Sequence, residues 1–80
     1  MPVVVVLCRN QFLEVLVPEG LEGEEYFYGT LLLHLQQEKG IAAERAKQIA
    51  EAAVYKRLYP GLVYGKLLEE DLEQYVSGLE

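Results

Sequence analysis

The chain is nearly empty of reactive side chains. Of its 80 residues one is cysteine (Cys8) and one is histidine (His34), and besides the tyrosines the only hydroxyls are Thr30 and Ser77. A lone cysteine cannot close a disulfide within one chain, and one Cys with one His falls short of the four ligands of a structural zinc site. Calcium loops alternate oxygen ligands around a glycine, and no such run is present. Gly20, Gly23 and Gly29 lack the spacing and the lysine of a phosphate-binding loop. Long apolar runs are missing too: none approaches the roughly 18 residues that a membrane-spanning helix needs. The apolar start, residues 1–8, has no basic stretch and no A-x-A-like cleavage site, and it stops at Arg9-Asn10. It is expected to be a strand and not a secretory signal. A lone cysteine fits a reducing compartment, so the expected location is cytoplasmic, with no metal, cofactor or membrane association.

What is present is apolar and acidic. Apolar residues make up 51% of the chain and charged ones 25%, with a net charge of −6. So high an apolar fraction argues for a folded domain over disorder. A chain of this length has room for one core and buries only about 60% of the surface that its unfolded form exposes. Without a disulfide or a metal, dense packing or self-association must supply stability. Glu, Leu, Tyr and Val are abundant while Asn10, Thr30, Ser77 and Met1 each stand alone, a composition of the thermophilic kind.

Residues 3–8 and 11–17 are β-branched and apolar, and the Arg9-Asn10 spacer predicts a hairpin, with Asn10 able to take a left-handed turn conformation. A two-residue loop sets Leu7 opposite Phe12, Val5 opposite Glu14 and Val3 opposite Leu16. The other face then carries Val6 with Leu13 and Val4 with Val15. Both faces are apolar, with Glu14 the one exception, whereas a hairpin on the surface of a monomer alternates polar and apolar residues.

Pro18 ends the second strand, and three helices are expected, at about 24–39, 41–59 and 67–79. In the first, Glu24 and Glu25 stand in the opening turn, Lys39 in the last and Gly40 just beyond, with Phe27, Leu31 and Leu35 along one stripe. Gly29 weakens this helix by roughly 1 kcal/mol relative to alanine. The alternative places Tyr26-Phe27-Tyr28 in a third strand, with Thr30 capping a shorter helix. The second helix carries Ala42, Ala46, Ile49, Ala50 and Ala53 on one face and stops at Pro60; its alanines permit close helix–helix approach. The third has Leu68, Leu72, Tyr75, Val76 and Leu79 as its apolar stripe. The fold class expected is α+β, with residues 1–80 forming one domain in which the helices cover one sheet face.

The order of hairpin, helix and then Gln37-Glu38-Lys39-Gly40-Ile41 resembles the opening of ubiquitin-like β-grasp domains over the first half of the chain. The helical 41–59 segment and the tail Ser77-Gly78-Leu79-Glu80, without a terminal diglycine, depart from that pattern, and no family is assigned.

No residue pattern carries catalysis. His34 lies in a leucine run at a stripe edge, Cys8 at the hairpin end reads as a small apolar side chain, and Glu69-Glu70-Asp71 suit the first turn of a helix. The chain is therefore expected to be non-enzymatic: a protein-interaction or assembly module, homo-oligomeric, and regulatory or accessory in role. With helices on one sheet face only, the other apolar face calls for a second copy. Val4, Val6, Leu13 and Val15 are the expected oligomer interface, with Tyr26, Phe27 and Tyr28 as candidates for binding another protein. The alternative is a small nucleic-acid-binding regulator. Residues 41–66 hold five bases against Glu44 and Glu51, and Arg45, Lys56, Arg57, Tyr59 and Lys66 could grip phosphates and stack on bases. That alternative ranks second, because the overall negative charge opposes attraction to nucleic acid.

Overall fold

The two β-branched runs pair as the spacing predicts. In the computed structural model, which describes residues 2–21 and 23–77, strands β1 (Val3–Cys8) and β2 (Gln11–Leu16) are antiparallel in a two-stranded sheet. Val3 faces Leu16, Val4 faces Val15, Val5 faces Glu14, Val6 faces Leu13 and Leu7 faces Phe12. Val17 N–H donates to the Pro2 carbonyl at 2.8 Å, extending the ladder by one step. Antiparallel pairs alternate between hydrogen-bonded and non-hydrogen-bonded positions. Counting from residues 2 and 17, the pairs 4/15, 6/13 and 8/11 exchange the ladder bonds. The pairs 3/16, 5/14 and 7/12 turn their backbone polar groups outward.

Arg9 and Asn10 both have positive φ, at 50° and 65°, as a two-residue turn between right-twisted strands requires. Asparagine tolerates this readily, whereas for arginine the left-handed conformation costs about 1 kcal/mol. The Arg9 side chain offers an offsetting contact. Its guanidinium donates to the Gln37 carbonyl at 2.9 Å and lies 3.6 Å from the Glu38 carboxylate. The Cys8 thiol donates to Gln37 Oε1 at 3.1 Å. The hairpin tip is thus tied to the carbonyl end of the first helix, where backbone acceptors lack partners within the helix.

Helix α1 (Glu25–Gln37) runs over β1, α2 (Ala43–Leu58) packs on α1, and α3 (Lys66–Tyr75) packs on α2. The fold is α+β, an N-terminal hairpin followed by three helices. Residues 26–28 are the start of α1 and not a third strand. The chain leaves α1 at Gly40, with φ at +68°, and Ile41 N–H closes on the Leu35 carbonyl at 3.0 Å. Leu79, expected in the last apolar stripe, and Glu22 lie outside the described residues.

Because α1 has the sheet on one side and α2 on another, its apolar surface wraps well beyond one stripe. Tyr28, Gly29, Leu31, Leu32, Leu33 and Leu35 are all buried. On α2 the small residues Ala46, Ala50, Ala52 and Ala53 are buried with Ile49 and Val54. Leu72 and Val76 bury themselves from the last segment, and Val17 and Leu21 close the core from the connecting loop.

The closest approach of helix to sheet falls at Gly29. A Cβ placed there would lie 2.7 Å from Val4 Cγ1 and 3.0 Å from Val6 Cγ2. Both neighbours are β-branched and stiff at χ1, so neither yields easily. The glycine that looked like a flaw in the helix is what lets α1 sit down on the strands. Gly29→Ala is expected to lose about 1–2 kcal/mol of unfolding free energy despite its better helix propensity. Urea midpoints measure this; an unchanged or higher midpoint would show that the hairpin moves away without cost.

Candidate functional site

Side chains alternate across a strand, so the hairpin presents one face to α1 and one away from it. Val6 and Val15 lie under α1 and are buried, and Val4 and Leu13 are half-buried against the same core. The four residues expected to form an oligomer interface are therefore the ones that the chain covers by itself. The opposite face holds Val3, Val5, Leu7, Phe12 and Leu16, which are 50%, 52%, 56%, 75% and 65% exposed. One residue could have told the faces apart in the sequence. Glu14, the only charge on the hairpin faces, lies with the exposed set. A buried carboxylate without a partner is far costlier than an exposed valine, so Glu14 marks the face that stays open.

These five apolar side chains form two close cross-strand pairs, Val3 with Leu16 and Leu7 with Phe12, and Val5 stands between them opposite Glu14. The pairs are of the non-hydrogen-bonded kind, in which side chains approach most closely. The result is a continuous apolar strip with a single charge on the β2 side. Among the described residues this is the largest group of exposed apolar side chains on one regular element. A second group, Tyr59, Leu62, Val63 and Leu67, runs through the α2–α3 connector.

Tyr26, Phe27 and Tyr28 point to different surroundings. Tyr26 is exposed, Phe27 is half-buried beneath the Arg57 guanidinium at 4.4 Å from the ring centre, and Tyr28 is fully buried. Consecutive helical residues are about 100° apart, so the trio does not form one patch.

Three of the five bases of the middle segment are engaged in internal ion pairs. Arg45 binds Asp71 at 2.6 Å, Lys56 pairs with Glu69, and Arg57 donates to Glu24 at 3.0 Å. Asp71 raises the affinity of Arg45 for its proton, and the Lys56 hydrogen bond, helped by Tyr64 N–H, holds the Glu69 carboxyl below its usual range. Tyr59 is exposed and stacks on Tyr55 with ring centres 6.5 Å apart. Lys66 is exposed at the start of α3 and makes no ion pair among the described residues. Three of the four cations proposed to hold phosphates thus already face carboxylates.

His34 is half-buried and lines a small cavity with Phe27, Thr30 and Leu31, none of which is a carboxylate. Cys8 is engaged with Gln37. Among the described residues no three His, Cys, Asp or Glu side chains converge on a metal-sized site, and no helix is long and apolar enough to cross a membrane. No protein-family model, curated protein or solved structure matches the chain.

Among the described residues one buried side-chain polar atom is left over. The Tyr28 hydroxyl has no hydrogen-bond partner, and burial, reinforced by the negative charge of Glu51, pushes its pKa up to about 12. The folded state thus favours the neutral phenol, while the unfolded chain ionises near 10. Stability from this residue is present below pH 10 and falls as the pH rises toward 12. Tyr28→Phe is expected to flatten that descent. At pH 7 it should leave stability equal or higher, because it removes an unpaired buried hydroxyl. Denaturant midpoints at pH 7, 10 and 11.5 check both statements; a variant that loses stability as steeply as the parent above pH 10 contradicts the first.

Proposed function

We propose that this chain is a non-enzymatic protein-interaction or assembly module, an accessory or regulatory protein whose working surface is the outer face of the β1–β2 hairpin. The observation that carries this reading is the strip of Val3, Val5, Leu7, Phe12 and Leu16, each half or more exposed on a regular hairpin. Scattered exposed apolar residues are ordinary, but a contiguous patch marks a place where another surface belongs. Phe12, the most exposed of the five, has the large rigid side chain that anchors interfaces. The hairpin tip is held to α1 through Arg9 and Cys8, so the strip is presented as a preformed plane and little ordering is needed on binding.

Catalysis finds less support. The cavity beside His34 offers Thr30 and apolar walls, with no carboxylate to orient the imidazole or accept its proton. Binding to nucleic acid would require Arg45, Lys56 and Arg57 to leave their carboxylate partners.

A photo-reactive amino acid placed at position 12 or 16 and activated in the producing cell tests the reading. A discrete protein adduct is expected from those positions and none from position 44 on the exposed start of α2. Adducts absent at 12 and 16, or equal at all three, would remove the hairpin face as the working surface.

A further inference from the structure

We infer that the partner seated on the hairpin's outer face is a second copy of this chain, with the two hairpins stacked face to face about a two-fold axis. This rests on the reading of that face as the working surface and adds the identity and geometry of its occupant.

Two copies could meet through the hairpin in three ways, and the structure disfavours two of them. Pairing along β2 would use the outward backbone groups of Phe12, Glu14 and Leu16. A two-fold axis through the middle of that set puts Glu14 opposite its own copy, and like charges directly across a ladder are destabilising. Pairing along β1 would use Val3, Val5 and Leu7 and place the second β1 about 4.8 Å away. That pairing widens the sheet sideways and leaves the apolar strips of both copies open to water, so it covers none of the surface in question. Stacking across the outer faces meets neither obstacle. Sheets stacked this way sit about 10 Å apart, and Glu14, in the central 5/14 pair between Phe12 and Leu16, belongs to the edge strand β2, from which its carboxylate can turn outward to water at the open rim. Lys47 of α2 lines the same groove as Glu14 and places a cation at that rim.

The area reaches the threshold for a specific interface when the two strips close completely. Five side chains that are half to three-quarters exposed leave on the order of 500 Å² open, and two such faces closed on each other withdraw about 1,000 Å², the lower bound for a specific interface. Charge opposes association of two copies everywhere but at the strip. Each copy carries −6, so two copies repel over most of their surfaces, and the strip brings a single carboxylate per copy to the contact. A strongly basic partner would find no acidic cluster on this face to hold it.

Sedimentation equilibrium on the purified full chain at tens of micromolar is the test. The expected mass is twice the 9.1 kDa of one chain. Phe12→Glu and Leu16→Glu, each checked for an unchanged helical circular dichroism spectrum, should weaken the dimer at least about 100-fold, whereas Val63→Glu, in the other exposed apolar group, should leave it intact. Hydrogen exchange separates the geometries. The outward amides of β1 and β2 should stay exchangeable in the dimer, and strong protection of all three on one strand would replace stacking with edge pairing. A dimer broken by Val63→Glu and not by Phe12→Glu would move the interface elsewhere and overturn the inference. A monomeric chain whose position 12 still photo-crosslinks to a different protein would overturn the second copy and leave the working surface standing. A monomer without any adduct would remove both.

Discussion

The structure depends on one contact, the seating of α1 on β1 at Gly29. Without a side chain there, the helix backbone comes down onto Val4 and Val6 closely enough that a methyl group would collide with both. A two-stranded hairpin has little independent stability in water, and this contact supplies its support. It also decides the remaining geometry. Once α1 lies on the Val4, Val6, Val15 face, alternation along the strands sends Val3, Val5, Leu7, Phe12 and Leu16 outward. The far side of α1 is left for α2. The run of Leu31, Leu32, Leu33 and Leu35 makes sense only for a helix enclosed on two sides, since a helix at a surface would need polar residues among them.

Charge organises the other half of the molecule. Along the chain, an acidic start and an acidic end flank a basic middle, a pattern that resembles a binding segment between two solubilising ones. In space three of the four bases of α2 meet those flanks. Arg57 reaches Glu24 at the entrance to α1, while Arg45 and Lys56 reach Asp71 and Glu69 on α3. Exposed ion pairs contribute little each, commonly below 1 kcal/mol. Their role here is directional. Helix α3 buries only Leu72 within its bounds, so apolar packing alone leaves its orientation on α2 loosely determined. Two ion pairs at different points along α2, with Glu69 also accepting Tyr64 N–H at 3.3 Å, fix how α3 lies and where the connector runs.

Local rules made the hairpin, its register and the three helices legible, because each depends on short-range spacing. Arg9-Asn10 set the loop length, and the loop length set every cross-strand partner. The choice between the two hairpin faces depended instead on packing against a helix that begins at residue 25. With apolar residues on both faces, periodicity gave no preference. The deciding signal was Glu14, which requires water and so marks the open face; Gly29, which allows close contact, marks where the helix meets the other one. The basic segment failed for a related reason. A count of charges along the chain cannot distinguish a phosphate-binding surface from a set of internal ion pairs, since that depends on which acids the fold brings opposite. The tether from Arg9 and Cys8 to Gln37 spans 28 and 29 residues and has no local signature.

A tension between stability and surface remains, and it bears on the proposed assembly. The chain has neither a disulfide nor a convergent metal site among its described residues, yet it leaves five large apolar side chains in water on its first structural element. Exposed in a monomer, they give the fold little hydrophobic stabilisation and invite promiscuous association. Covered by a second copy, the same side chains stabilise the folded state through mass action, because only a folded hairpin presents them as a plane. Glu14 works against pairing along the β2 edge while leaving the face apolar enough to close. In that arrangement folding and assembly draw on the same residues, and a small core on one side of the hairpin is complemented by an interface on the other.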